Sequence, residues 1–216
     1  MTENQESFLF SSAYLAPISY YTAMAHCEVA YIEQWENYRK QSYRNRCVIA
    51  SPQGPLSLTI PIIKPQGDHR LIRDIKISDH GRWQHLHWNA LVSSYNNSPF
   101  FLYYEDELAP FYEKKHDFLL DFNMELCRIM CDDIGINPTL KLTDSYVPAG
   151  EEISLSDLRE RINPKVSGVD QLPGNQEIPY YQVYQEQLGF LPNLSIIDLL
   201  FNMGPEGLLI LKGKGQ

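Results

Sequence analysis

The start of the chain has the pattern of a strand, a helix and a second strand in close succession. Phe8–Leu15 has the pattern of a first strand, and Pro17 then stands where a helix would begin, a position that proline favours. Glu28–Ile32 has the composition of another short strand. A helix that links two neighbouring strands makes them parallel, with a right-handed crossover. The sequence therefore predicts an α/β fold that opens with a βαβ unit.

Further strand patterns follow before residue 80. Cys47–Ala50 and Leu56–Ile62 flank the turn residues Ser51–Gly54, which predicts a β-hairpin. Apolar and polar residues alternate along the second strand of this hairpin, so one face is expected to be buried. Leu71–Ile77 is predicted to be one more strand. Together these patterns predict a mixed sheet with a β-hairpin.

Beyond residue 80 the apolar spacing becomes that of helices, so a largely helical C-terminal half is expected. Trp83, His87, Leu91 and Tyr95 recur every four residues and form one stripe of a helix predicted over Gly81–Tyr95. The remaining predictions are helices over Glu105–Tyr112, Asp117–Ile134, Leu155–Ile162 and Leu194–Asn202, a strand within Ile136–Val147, and a long loop over Asn163–Pro179.

Length and charge limit the class of protein. A chain of 216 residues with 44% hydrophobic residues is most simply one domain over residues 1–216. Its 18 basic and 27 acidic residues give a net charge of −9, which disfavours a nucleic-acid-binding protein. No apolar run of about 20 residues is present, so no membrane span is expected, and the chain is predicted to be cytoplasmic. The sequence leaves the oligomeric state open.

Neither a metal site nor a cofactor is predicted. The spacing of Cys27, Cys47, Cys127 and Cys131 fits neither a zinc site nor a disulfide framework, so buried reduced thiols are expected. No glycine-rich phosphate or dinucleotide motif occurs. A metal site remains the less favoured alternative, because His85 and His87 lie on different faces of the predicted helix.

Basic and aromatic residues are concentrated just before the hairpin. If this segment is extended, Arg44 and Arg46 on either side of Asn45 point the same way, and two guanidinium groups then form a site for a phosphate or carboxylate. Tyr43 would pack on a sugar or base ring. The alternative is a pair of surface arginines that bind nearby acidic side chains.

The predicted helix that contains His87 supplies further candidates. His87 could act as a general acid or base, with Tyr95 or Asn45 to orient it and Trp83 to pack on the ligand. Asn96, at the end of the helix, could bind a sugar. The alternatives are a core histidine with its hydrogen bonds satisfied and an ordinary helix cap. The lone carboxylate of Asp198 is expected to pair with an arginine inside the fold.

These segments together resemble the WbqC-like proteins over nearly the whole chain. The matching residues are Tyr14–Pro17, Tyr38–Arg46, Leu58–Pro61, Trp83 with His87, Tyr95 and Ser98–Phe101, and Gly189–Leu200. The resemblance implies a bacterial cytoplasmic protein whose relatives occur in surface-polysaccharide contexts, and it implies no established reaction. Ser11 or Ser12 stands near the place where the family often has a glutamine.

A second resemblance is limited to the first βαβ unit. Nucleotidyltransferases open with a strand, a Pro-x-His-x-Gly-His motif and a helix. Pro17 matches that motif, but Ser19, Tyr21 and Thr22 stand where it has histidine, glycine and histidine. The opening architecture is therefore similar, whereas the phosphate-stabilising histidines are missing.

Two functions follow as hypotheses. The first is a transferase that uses an activated, phosphate- or carboxylate-bearing donor in surface-polysaccharide biosynthesis. In this hypothesis Arg44 and Arg46 hold the anionic group, and His87 is the base. The second is a non-catalytic protein that binds the same small anionic or sugar ligand or takes part in an assembly. They differ in whether His87 and the arginines share one cleft.

Overall fold

The larger of the two sheets in the described part of the chain is parallel and has four strands. The structure is a computed structural model that describes residues 6–65, 70–149, 155–165, 172, 174 and 178–213. The sheet has the order β5-β2-β1-β6, with β1 at Ser7–Ser11, β2 at Val29–Glu33, β5 at Thr139–Leu142 and β6 at Leu155–Asp157. Helix α1, Ile18–Ala25, connects the parallel strands β1 and β2. The predicted βαβ unit is confirmed.

The predicted β-hairpin is also confirmed. Strands β3, Arg46–Ser51, and β4, Gly54–Thr59, pair antiparallel, with Cys47 opposite Leu58. The second strand is shorter than predicted. Leu58 is buried on its inner face, whereas Leu56 is exposed.

Helices dominate the rest of the described chain. They are α2 at Trp83–Tyr95, α3 at Phe101–Glu113, α4 at Leu119–Ile134, α5 at Gln185–Leu188, α6 at Ile196–Met203 and α7 at Gly207–Leu211. Gly135 ends α4 at a φ of 79°, a left-handed conformation that glycine adopts without strain. Residues 196–202 of α6 are all buried, as the apolar pattern predicts. Within the described residues, no helix has the length and hydropathy needed to cross a bilayer.

The strand predicted over Leu71–Ile77 is wrong. Ile72–Asp74 forms a single 3₁₀ turn, and the amide of Ile75 donates to the carbonyl oxygen of Ile72 at its end. Isolated bridges flank it, between Leu71 and Asn37, between Lys76 and Phe118 and between Ile77 and Ile62. The isoleucines of this segment are buried in the core although the segment does not pair as a strand. Their apolar side chains therefore gave the segment the composition of a strand.

The helix predicted over Leu155–Ile162 is also wrong, because its first residues form β6. The backbone pairs with β1, and the amide of Leu158 donates to the carbonyl oxygen of Leu9 at 2.8 Å. The chain then turns where Asp157 Oδ1 accepts from the amide of Arg159 at 3.0 Å. Most of the loop predicted over Asn163–Pro179 lies outside the described residues.

Candidate functional site

Charged side chains gather where the parallel strands end. Strands β1, β2 and β6 end at the same edge of the sheet, and in parallel sheets this carboxyl edge is where ligands bind. The described residues place three carboxylates and two arginines there, almost all buried: Glu33, Glu36, Asp157, Arg44 and Arg159. Charges removed from water need partners, so their contacts define the site.

Arg44 is bound by a carboxylate and a hydroxyl group. Its Nε donates to Glu36 Oε1 at 2.9 Å, and its Nη2 donates to Glu36 Oε2 at 2.5 Å. The same Nη2 donates to Ser11 Oγ at 2.8 Å, at the end of β1. The guanidinium plane is therefore fixed at the carboxyl edge of the sheet.

Arg159 is held from the opposite side, after β6. Its Nε and Nη2 donate to the two oxygens of Asp157 at 3.0 and 2.6 Å, and its Nη1 donates to Glu33 Oε2 at 3.3 Å. Burial acts to raise the pKa of Asp157, but the hydrogen bonds and charge of Arg159 outweigh it and leave that pKa lowered. Asp157 is therefore an ionised partner that orients the guanidinium group.

Glu33 fixes the loops around the site. Its Oε1 accepts from the amide of Trp35 and from Thr143 Oγ1, each at 2.8 Å, and its Oε2 accepts from the amide of Val147 at 2.9 Å. These bonds connect the ends of β2 and β5 with the segment that follows β5. The carboxyl edge is thus held in place by charge-assisted hydrogen bonds.

A cleft of about 360 Å³ lies over this edge. Trp35 and Tyr146 form aromatic walls, and Trp35 is fixed by a bond from its Nε1 to the carbonyl oxygen of Thr143 at 2.9 Å. Arg39 and Glu160 also line the cleft, and they form an ion pair at 2.7 Å with side chains that are 59% and 56% exposed. This volume lies within the range of small-molecule sites, about 300–1,000 Å³.

A smaller cavity of about 10 Å³ adjoins the same edge. Ser11, Tyr43, Arg44 and Arg159 are among the residues that line it. The volume suits about one water molecule. Arg159 lines both spaces, so the two buried arginines belong to one continuous polar region.

The arginine-rich segment before the hairpin does not act as one unit. Arg44 binds Glu36, whereas Arg46 begins β3 and its buried Nε has no hydrogen-bond partner among the described residues. Asn45 Nδ2 donates to the carbonyl oxygen of Ile60 at 2.7 Å, which fixes the hairpin. Of these residues and Tyr43, only Tyr43 and Arg44 line a cavity at the carboxyl edge.

The structure places His87 in the aromatic core. It is 5% exposed, its Nδ1 is 3.0 Å from Tyr14 Oη, and the edge of the buried Trp83 packs against its ring. Burial lowers the pKa of His87 to about 4, against the opposing effect of a hydrogen bond with the backbone of Thr59. His87 lines neither of the two spaces at the carboxyl edge, whereas Arg44 lines the smaller one.

Tyr95 and Asp198 form a separate buried group. Tyr95 Oη and Tyr180 Oη donate to Asp198 at 2.8 and 2.5 Å, and Gln182 Nε2 donates at 3.1 Å. The expected arginine partner of Asp198 is therefore wrong, since two phenols and an amide take its place. Burial raises the pKa of Asp198 to about 6, and these hydrogen bonds partly offset that effect. Asn96 is exposed at the end of α2.

Reasoning from the sequence missed most of the cleft. Glu33, Trp35 and Glu36 come directly at or after the end of β2, and that position was the available signal. Asp157 and Arg159 were hidden by the incorrect helix prediction. Three of the four cysteines predicted to be buried thiols are buried, Cys47, Cys127 and Cys131, whereas Cys27 is half-buried.

Comparison with known proteins gives one family and one relative. The model of the WbqC-like protein family matches residues 12–166, which include the arginine-rich segment, α2 and β6. A Mycobacterium tuberculosis protein described as uncharacterised is 30% identical over 219 residues, which cover 92% of this chain and 94% of that protein. No solved structure matches the chain.

Proposed function

Since this chain belongs to the WbqC-like protein family, we propose that it is a cytoplasmic transferase of surface-polysaccharide biosynthesis. In this proposal an activated donor binds in the cleft at the carboxyl edge of the sheet. Its phosphate or carboxylate group contacts the guanidinium groups of Arg39 and Arg159. The sugar or acyl part lies against Trp35 and Tyr146.

The observation that carries the proposal is the fixed orientation of Arg159 at the wall of the cleft. Asp157 and Glu33 accept three hydrogen bonds from its guanidinium group, so the arginine loses little further freedom when a ligand binds. Arginine suits phosphate and carboxylate groups because its planar fork matches their oxygen atoms.

Arg39 supplies a cation that a ligand can reach. Its ion pair with Glu160 is largely exposed, and such pairs contribute about 0–1 kcal/mol. A ligand anion can therefore replace Glu160 at small cost. Arg44 stays bound to Glu36 and supports the edge from the small cavity.

The catalytic roles of His87 and Tyr95 stay predictions from the sequence. Neither residue lines the cleft, and both are buried. This burial favours the second candidate, a non-catalytic protein that binds the same class of ligand. The two candidates share the cleft and differ only in whether the sugar or acyl group of the donor is transferred there.

Ligand-induced stabilisation tests the binding site. Nucleotide sugars, acyl thioesters and free nucleotides are screened by thermal shift, since a ligand at 100 times its dissociation constant stabilises by about 2.7 kcal/mol. We expect a hit whose shift is lost in Arg39→Gln and kept in Arg128→Gln, a matched change on the exposed face of α4. A hit that both variants retain places the ligand elsewhere.

Transfer is then measured directly. The bound donor is incubated with amino sugars and hydroxylated sugars, and products are detected by mass spectrometry. A product formed by the wild-type protein, and reduced in Arg39→Gln, supports the transferase. Tight binding with no change in donor mass in any mixture supports the binding protein instead.

A further inference from the structure

The wall of the cleft carries both signs of charge. Among its described residues, Arg39 and Arg159 are cationic, whereas Glu36, Asp157 and Glu160 are anionic. Glu36 is neutralised from behind by Arg44, which does not line this cleft. The wall therefore offers two guanidinium groups beside two carboxylates. Such a surface can hold a cationic group next to a bound anion, because each cation has an anion next to it.

The exposed pair can exchange partners with a ligand of mixed charge. Arg39 Nη1 and Glu160 Oε1 are 2.7 Å apart, and more than half of each side chain is exposed. If a ligand presents a carboxylate to Arg39 and an ammonium group to Glu160, two ion pairs replace one. A ligand with only one charge leaves either Arg39 or Glu160 without its partner.

The aromatic walls suit the carbon skeleton of such a ligand. Trp35 lines the cleft with its ring held by Thr143 and by the guanidinium group of Arg73, which lies 4.2 Å from the ring centre. Tyr146 lines the cleft with the guanidinium carbon of Arg159 5.7 Å from its ring centre. Both rings give apolar area next to the charged pair.

We propose that the cleft binds a small zwitterion, an α-amino acid, with its carboxylate on Arg39 and its ammonium group on Glu160. This inference rests on the proposed function, since it specifies the carboxylate-bearing substrate of the same site. The cleft of about 360 Å³, lined by both aromatic residues, leaves room for the side chain of the amino acid.

Isothermal titration calorimetry with matched ligands tests the charge pattern. Glycine, alanine, methionine and phenylalanine are each compared with the carboxylate that lacks the amino group and with the amine that lacks the carboxylate. At least one amino acid is expected to bind about tenfold tighter than both of its single-charge analogues, a difference of about 1.4 kcal/mol.

Two surface variants then test separately the contact of the ligand carboxylate with Arg39 and that of its ammonium group with Glu160. Arg39→Gln is expected to weaken the amino acid and the carboxylate about tenfold and to leave the amine unchanged. Glu160→Gln is expected to weaken the amino acid and the amine and not the carboxylate. Arg128→Gln and Glu125→Gln, both exposed on α4, are the matched controls and should change nothing.

The outcomes separate this inference from the function on which it rests. If amino acids bind no tighter than their carboxylate analogues, or bind equally in both cleft variants, the zwitterion site is wrong. If a nucleotide sugar or acyl thioester still binds through Arg39, the proposed function stands without it. If neither class of ligand binds, both are wrong.

Discussion

Arg44 and Glu36 form a bidentate ion pair in the interior, with side chains only 4% and 8% exposed. Nε and Nη2 of the arginine each meet one carboxylate oxygen, at 2.9 and 2.5 Å. Glu36 follows β2 and Arg44 precedes β3, so the pair connects the parallel sheet to the hairpin. Removal of either member leaves the other as an uncompensated buried charge.

We therefore expect Glu36→Gln to lower the free energy of unfolding by about 3–5 kcal/mol, the usual cost of a broken buried ion pair. Urea denaturation followed by circular dichroism measures it. Glu125→Gln, an exposed site on α4, is the control and should stay within about 0.5 kcal/mol of wild type. A loss below about 1 kcal/mol in Glu36→Gln would mean that Arg44 finds water or another partner.

The double replacement of Arg44→Met with Glu36→Leu gives the complementary result. Packed apolar side chains often substitute for a buried ion pair at little cost, so most of the lost stability should return. If the double variant is as unstable as Glu36→Gln, the bond from Arg44 to Ser11 is worth more than the pair itself.

His87 should make an acid-sensitive contribution to the stability of the protein. Its pKa is lowered by burial from 6.5 to about 4, so the unfolded chain takes up a proton before the folded protein does. The contribution of His87 to stability is then complete above pH 6.5 and falls by about 3 kcal/mol as the pH drops to 4. Relative to wild type, His87→Gln should therefore gain stability as the pH falls from 6.5 to 4, whereas His85→Gln, exposed on the same helix, should follow the wild-type curve. An identical slope in both variants would refute the assignment.

Asp198 should act in the opposite direction. Burial raises its pKa from 3.8 to about 6, so the unfolded chain loses this proton first as the pH rises. The favourable contribution is present below pH 3.8, and about 3 kcal/mol is lost by pH 6. Relative to wild type, Asp198→Asn should therefore become more favourable as the pH rises from 4 to 6, whereas Asp121→Asn, exposed on α4, should not.

The two buried groups share one pH range with opposite signs. Between pH 4 and 6 the contributions of His87 and Asp198 nearly cancel, so the wild-type stability is expected to be almost flat there. Each slope appears only when the other group is replaced. As the pH falls from 6 to 4, the free energy of unfolding should fall steeply in Asp198→Asn and rise in His87→Gln. This pair of results would confirm both pKa assignments.

An element can be predicted from the sequence when the interactions that form it are between residues close together in the chain. The βαβ opening, the hairpin and the end of α4 at Gly135 follow from local spacing and turn residues, and all three were predicted. Strand β6 was not predicted, because its three residues become a strand only by pairing with β1, which lies about 150 residues earlier. Local pattern therefore pointed to a helix.

Only part of the candidate site follows from the sequence. A polar-aromatic segment next to an early strand indicated an anion-binding residue, and Arg44 does lie at the carboxyl edge of the sheet. Its carboxylate partner and the whole contribution of Arg159 depend on how distant segments meet. The stripe of Trp83, His87 and Tyr95 was recognised correctly as one helical face, but that face turned out to pack inward.

The shape of the guanidinium group, and not only its charge, should matter at Arg159. In Arg159→Lys the charge is kept, but one ammonium group cannot meet both oxygens of Asp157 and Glu33 as the planar fork does. We expect affinity for the cleft ligand to fall about tenfold, with Arg128→Lys on α4 unchanged. Calorimetry on protein shown to be folded by circular dichroism separates this loss from instability. If the lysine variant binds as the wild type does, positive charge alone is sufficient at this wall, and the oriented fork that supports the proposed site has no role.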